Sequence, residues 1–116
     1  MGAPDPRRAL GSRGEAMAAE WYEARGYRVL ARNWRCREGE IDLVLARGRT
    51  YVFCEVKTRA TEAFGLPAEA VTARKRARLR RLAARWLAET ALPGGDVRFD
   101  VAGVLDGRLE VVEEAF

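Results

Sequence analysis

The sequence predicts an α/β protein with a mixed central sheet of about five strands flanked by helices. Two stretches with helical spacing of apolar residues interleave with five stretches of strand-like alternation. At 116 residues, with 48% hydrophobic and 33% charged residues, the chain suits one modest core. Residues 1–10, with Pro4, Pro6 and an Arg pair, are expected to form a flexible tail, and residues 11–116 a single domain.

The first helix is expected to open at Ser12-Arg-Gly-Glu15, which reads as a capping box. Glu15, Ala18, Ala19 and Tyr22 share one helical face, Tyr22 being a core residue, and Gly26 suits a helix stop. Tyr27–Cys36 reads as the first strand. Glu40–Ala46 alternates, with Ile41, Leu43 and Leu45 on one face and Glu40, Asp42 and Val44 on the other. After Arg47-Gly-Arg-Thr50, Tyr51–Arg59 places Val52, Cys54 and Val56 on one face and Phe53, Glu55 and Lys57 on the other. Residues 60–67 read as a loop, and a helix is expected over Ala68–Thr90 with the stripe Leu79, Leu82, Ala83, Trp86. Val97–Leu105 and Arg108–Glu113 form a last hairpin around Asp106-Gly107.

Absences narrow the chemistry. The chain has no His, which excludes Ser-His-Asp and Cys-His nucleophiles and His-ligated metals. Cys36 and Cys54 are too few for a structural zinc site or a disulfide scaffold. Neither a dinucleotide-binding nor a P-loop glycine pattern occurs. No apolar run approaches the roughly 18 residues of a membrane span, and the first residues lack a secretory pattern. A cytoplasmic protein that does not enter the membrane is expected. Residues 58–86 carry eight basic against two acidic groups, while residues 87–116 carry two against seven. The basic middle reads as a surface facing a polyanion, or simply as a solvated helix. Nineteen of the 21 basic residues are Arg; the two lysines are Lys57 and Lys75. A lysine ammonium, unlike guanidinium, can lose its proton.

A hairpin closed over Gly48-Arg49 pairs Leu43 with Cys54, Val44 with Phe53, Asp42 with Glu55 and Glu40 with Lys57. Directly opposed residues have Cβ atoms about 4.5–5.5 Å apart. Two carboxylates then lie side by side on a half-apolar face, a costly arrangement unless neutralised. Lys57 can neutralise them as a salt-bridge partner, and so can a divalent cation.

Asp42, twelve residues and Glu55-Val56-Lys57 resemble the PD-(D/E)xK nuclease motif, with Glu15 as the preceding helical acid and Ile41 in place of the usual Pro. The wider set resembles the bacterial YraN family, from about Gly11 to Val104. It comprises Gly14-Glu15-Ala16, Gly26-Tyr27, Arg32-Asn33-Trp34, Gly39-Glu40-Ile41-Asp42-Leu43-Val44, Val52–Arg59, Phe64-Gly65, Lys75 and Arg98-Phe99-Asp100-Val101. These small, uncharacterised proteins are similar in predicted fold to archaeal Holliday-junction resolvases.

The resemblance implies a restriction-endonuclease-like fold and a metal-dependent DNA endonuclease, acting on branched or damaged DNA. Glu15, Asp42, Glu55 and Lys57 would be catalytic. Asp42 and Glu55, with the Val56 carbonyl, would hold Mg²⁺ or Mn²⁺. Lys57 would reach the attacking water or the phosphate. Glu15 would complete the metal shell through water, or serve only its capping box. Thr58, Arg59, Arg74, Lys75, Arg78, Arg81 and Arg85 are the nucleic-acid contacts expected. Lys75 extends the apolar stripe toward the helix start, so it either reaches the acidic site or snorkels at the core's edge. Trp86 belongs to the core; Trp34 stands open between core and base stacking. DNA is favoured over RNA, and a homodimer is compatible with so small a nuclease. The rival readings are a nucleic-acid-binding module with a vestigial site, and an interaction domain using the acidic C-terminal hairpin.

Overall fold

A computed structural model describes residues 6–59 and 71–116, with side chains at 13–58 and 71–116. Its elements are α1 (Pro6–Glu23), β1 (Arg28–Cys36), β2 (Gly39–Arg47), β3 (Thr50–Arg59), α2 (Ala73–Thr90), β4 (Asp96–Leu105) and β5 (Arg108–Val112). The strands lie in chain order in one five-stranded sheet. β1–β2, β2–β3 and β4–β5 are antiparallel, whereas β3–β4 is parallel. Hairpins need only short turns, but a parallel pair needs a crossover, and α2 lies within it. Asp106 and Gly107 both take positive φ, 50° and 75°, as a two-residue turn with matching twist requires.

The alternation of each strand divides the core between two helices. Leu43, Leu45, Val52 and Cys54 pack with Ala18, Ala19 and Tyr22 of α1. Val44, Phe53 and Val101 pack with Leu79, Leu82, Ala83 and Trp86 of α2. Trp86 meets Phe53 edge to face at 5.8 Å, so it is a core residue. The central hairpin is thus buried on both faces.

Two boundaries and one facing differ from the sequence expectation. α1 begins at Pro6, not Ser12, so the proposed capping box lies inside a helix and Glu15 is free of that duty. α2 begins at Ala73, capped by Thr72, whose hydroxyl accepts from the Lys75 N–H at 3.3 Å. A polar N-cap ends the upstream chain more sharply than apolar spacing alone indicates. Residues 1–5 and the 60–67 loop, with Phe64-Gly65, lie outside the described residues. Third, Ile41 belongs with Val44 on the α2 side rather than with Leu43 and Leu45.

Candidate active site

The displacement of Ile41 marks the place where the site forms. The β2–β3 register runs as expected from Arg47↔Thr50 to Leu43↔Cys54 and then stops. β3 stays paired with β4 as far as Arg59↔Leu105. Beyond Leu43, β2 and β3 therefore part, and Asp42 stands at the fork. Its Oδ2 accepts the Val56 N–H at 2.8 Å, giving a side-chain partner to a backbone donor on the strand edge that β2 has left. Asp42–Glu55 and Glu40–Lys57 are accordingly not ladder pairs, contrary to strict alternation. Glu40 faces Arg35 across β1–β2, with Arg35 Nε 3.1 Å from Oε2. On β1, Asn33 falls out of the pairing register at the level of Asp42 and takes φ 50°, the left-handed region that asparagine tolerates.

α1 closes one side of the fork. A Cβ on Gly14 would collide with the Thr58 hydroxyl oxygen, so glycine lets this turn lie directly on β3. The next residue, Glu15, is thereby brought into the fork. Carboxylate oxygens of Glu15, Glu40 and Asp42 all lie within 4.8 Å of one another. α2 forms the opposite wall. Against it is a cleft of about 260 Å³ lined by Gly39, Glu40, Asp42, Glu55, Lys75, Arg78, Leu79 and Leu82. Lys57 Nζ lies 3.1 Å from Glu55 Oε1. The Lys57 and Lys75 side chains are neighbours there.

The crowding shows in the proton affinities. Burial, then the charge of Glu55, pushes the Asp42 carboxyl up to about 7, although the Val56 N–H pulls the other way. Burial likewise raises Glu15, against a lowering hydrogen bond from Asn33. Burial opposes the Lys57 charge, but the neighbouring Lys75 amine and the negative charge of Glu55 outweigh that, and its pKa is raised. Lys75 moves the other way, lowered by the neighbouring Lys57 and its charge.

Asp42, Glu55, Lys75 and Arg78 therefore line one cleft, with Glu15 beside Asp42 and Lys57 beside Glu55. Val56 takes part through its amide N–H. The Thr58 Oγ1 is buried and unpartnered among the described residues, against Gly14. Arg74 and Arg81 are exposed on α2. Arg85 is drawn aside by Glu89, at 2.9 Å, and Glu38, at 3.5 Å. The Arg59 side chain lies outside the described residues. Trp34 is half-buried and packs against the α2-side core. Two contributors carried no assigned role in the sequence reading. Glu40 was visible only as a third acid two residues before Asp42. Asn33 stood only in the Arg32-Asn33-Trp34 segment of the family resemblance, with no role assigned.

Fold and cleft define the class: an α/β protein with a carboxylate–lysine site at the fork of its central hairpin. The chain belongs to the uncharacterised protein family UPF0102, the YraN family by another name, whose model matches residues 14–104. It is 58% identical over 100 residues to a UPF0102 protein of Beutenbergia cavernae, covering 86% of this chain and 85% of that one. A UPF0102 protein of Mycolicibacterium vanbaalenii is 50% identical over 113 residues, covering 97% and 93%. One of Acidothermus cellulolyticus is 48% identical over 130 residues, covering 99% and 98%. Among the described residues, no helix is long and apolar enough to cross a membrane.

Proposed function

We propose that this protein is a metal-dependent endonuclease that hydrolyses phosphodiester bonds in DNA, with branched or damaged DNA as the substrate class. One observation carries the reading. Asp42 is half-buried at a strand fork beside Glu55, Glu15 and Glu40, and this negative charge is compensated only in part by Lys57. Such a donor set fits a hard cation, because Mg²⁺ and Mn²⁺ take carboxylate oxygens and tolerate water in the remaining positions. Asp42 and Glu55 would hold it, with the Val56 carbonyl and with Glu15 and Glu40 in support; bound there, it would act as a Lewis acid on phosphate and water. Lys57, fixed on Glu55, keeps a positive charge beside the acids. Arg78 on the α2 wall offers a guanidinium to the phosphate chain, and Arg74 and Arg81 extend it along the helix.

The test compares nicking of linear, gapped and four-way DNA by wild type and Glu55→Ala with Mg²⁺ or Mn²⁺. Wild type should cleave at least one of these, and the variant should lose about 10²-fold or more. Equal cleavage by both would defeat the proposal. Binding by wild type without cleavage would favour the rival, a nucleic-acid-binding module with a vestigial site.

A further inference from the structure

Resting on that reading, we propose that a second cavity, beside the β2–β3 turn, binds an unpaired nucleotide of the DNA substrate. Its volume is about 470 Å³, within the usual size of a ligand site. β1 supplies Arg28 and Leu30, the β2–β3 turn Arg49 and β3 Tyr51. The loop after α2 closes it with Leu92, Pro93 and Gly94. Along β3, Phe53 lies between Tyr51 here and Glu55 in the acidic cleft, and Trp86 packs against Phe53. The two sites are therefore separate, about 13 Å apart at strand rise. The loop is fastened to the turn. A Cβ on Gly95 would collide with the Arg49 carbonyl oxygen, and the Asp96 N–H donates to that oxygen at 2.8 Å. The Tyr51 hydroxyl donates to the Pro93 carbonyl at 2.6 Å, which holds the ring in place.

The lining sets the chemistry of the ligand. Two arginines and no carboxylate line the cavity, which calls for negative charge. Among the described residues neither Arg28 nor Arg49 has an ion-pair partner, whereas Arg32, Arg35, Arg85 and Arg98 each have one. Such guanidiniums suit a phosphate. The remainder is apolar. Leu92 and Val97 are the exposed large hydrophobics among the described residues, at 41% and 45%. Leu92 lines the cavity and Val97 is the β4 partner of Tyr51, so both stand at this end of the sheet. Exposed apolar surface rimmed by charge marks an interaction site. A duplex offers phosphates but hides its base faces in the stack. An unpaired nucleotide offers both, a base face to Tyr51 and Leu92 and a phosphate to the arginines. A branch point or gap supplies such nucleotides, and about four of them, stacked, cover the distance to Glu55.

The test runs in chelator, so it needs no cleavage. A single strand of about 12 nucleotides carrying iododeoxyuridine, irradiated with the wild-type chain, should crosslink at Tyr51, read by mass spectrometry. Fluorescence anisotropy then follows the labelled strand and a duplex of the same length. Gly94→Trp should weaken the single strand about fivefold or more and leave the duplex within about twofold. Gly94 has no positive φ and a Cβ there meets open space, so the bulk enters without backbone strain or a change of charge. Arg28→Ala with Arg49→Ala should make the salt slope for the single strand shallower by about 1.4. Crosslinks confined to other residues, or equal loss of both DNAs in Gly94→Trp, overturn the proposal. So does a Gly94→Trp chain that keeps the single strand but loses an acidic aromatic peptide, acetyl-Glu-Glu-Phe, since the cavity would then dock a protein. A chain that crosslinks at Tyr51 but cleaves nothing would keep the site and remove the nuclease reading. Cleavage of DNA without the crosslink would do the reverse.

Discussion

Asp100 and Asp42 lie in one sheet, and their surroundings follow opposite plans. Asp100, on β4, is fully buried. Arg98 grips it with two bonds of 2.9 Å, the Tyr22 hydroxyl donates at 2.6 Å and the Glu114 N–H at 3.1 Å. Arg98 also reaches the Tyr27 hydroxyl at 3.0 Å, so this network ties α1, the start of β1, β4 and the C-terminal segment together. Asp42 accepts one backbone N–H and faces three further carboxylates, with no arginine bonded to it among the described residues. Both sites withdraw negative charge from open solvent, Asp100 fully and Asp42 in part. One answers it with protein donors, which makes it a structural tie. The other has no arginine bonded to it among the described residues, which makes it a functional candidate.

The contrast can be broken by substitution. The largest effect should come from Asp100→Ala, which strands Arg98 and Tyr22 inside the protein. We expect a loss of about 3–5 kcal/mol in urea unfolding; a loss under about 1 kcal/mol would mean that the network adds little. The next should come from Gly14→Ala. In an ordinary helix this change stabilises by roughly 0.5–1 kcal/mol. Here the added methyl meets Thr58, so we expect destabilisation by about 1–3 kcal/mol in thermal melts. A rise in Tm would show that the close approach of α1 does not set the site.

Asp42→Asn should have the smallest effect and the opposite sign, a gain of about 1 kcal/mol at pH 8 in chelator. The pH dependence follows from the raised carboxyl. Native Asp42 keeps its proton up to about 7, whereas the unfolded side chain releases it near 3.8. Between those values the native state binds more protons, so its stability falls as pH rises. Asp42→Asn should flatten this slope, and Mg²⁺ should offset the loss in wild type. A slope that is the same in both proteins would move the uncompensated charge elsewhere.

Much of this was legible in the residues. The β2–β3 register followed from alternation and the Gly48-Arg49 turn, because a one-residue slip would turn Leu43, Leu45, Val52 and Cys54 away from their helix. Trp86 and Tyr22 declared themselves core by helical spacing. The arginine stripe was legible as a pattern but not in its use, since Arg85 spends its guanidinium on Glu38 and Glu89. The start of α1 was misplaced because Ser12-Arg-Gly-Glu15 satisfies a capping pattern that the chain does not use.

Local chemistry alone determined the elements, the two-sided burial of the central hairpin and the identity of the acids and lysines that converge. These follow from periodicity and turn preference, which act over a few residues. Tertiary structure alone decided where β2 leaves β3, that Asn33 and Glu40 join Asp42, that Gly14 seats Glu15, and that Lys75 meets Lys57. Each depends on groups far apart in the chain coming within a few ångströms, and such meetings are fixed by how helices pack on a sheet rather than by any neighbouring residue.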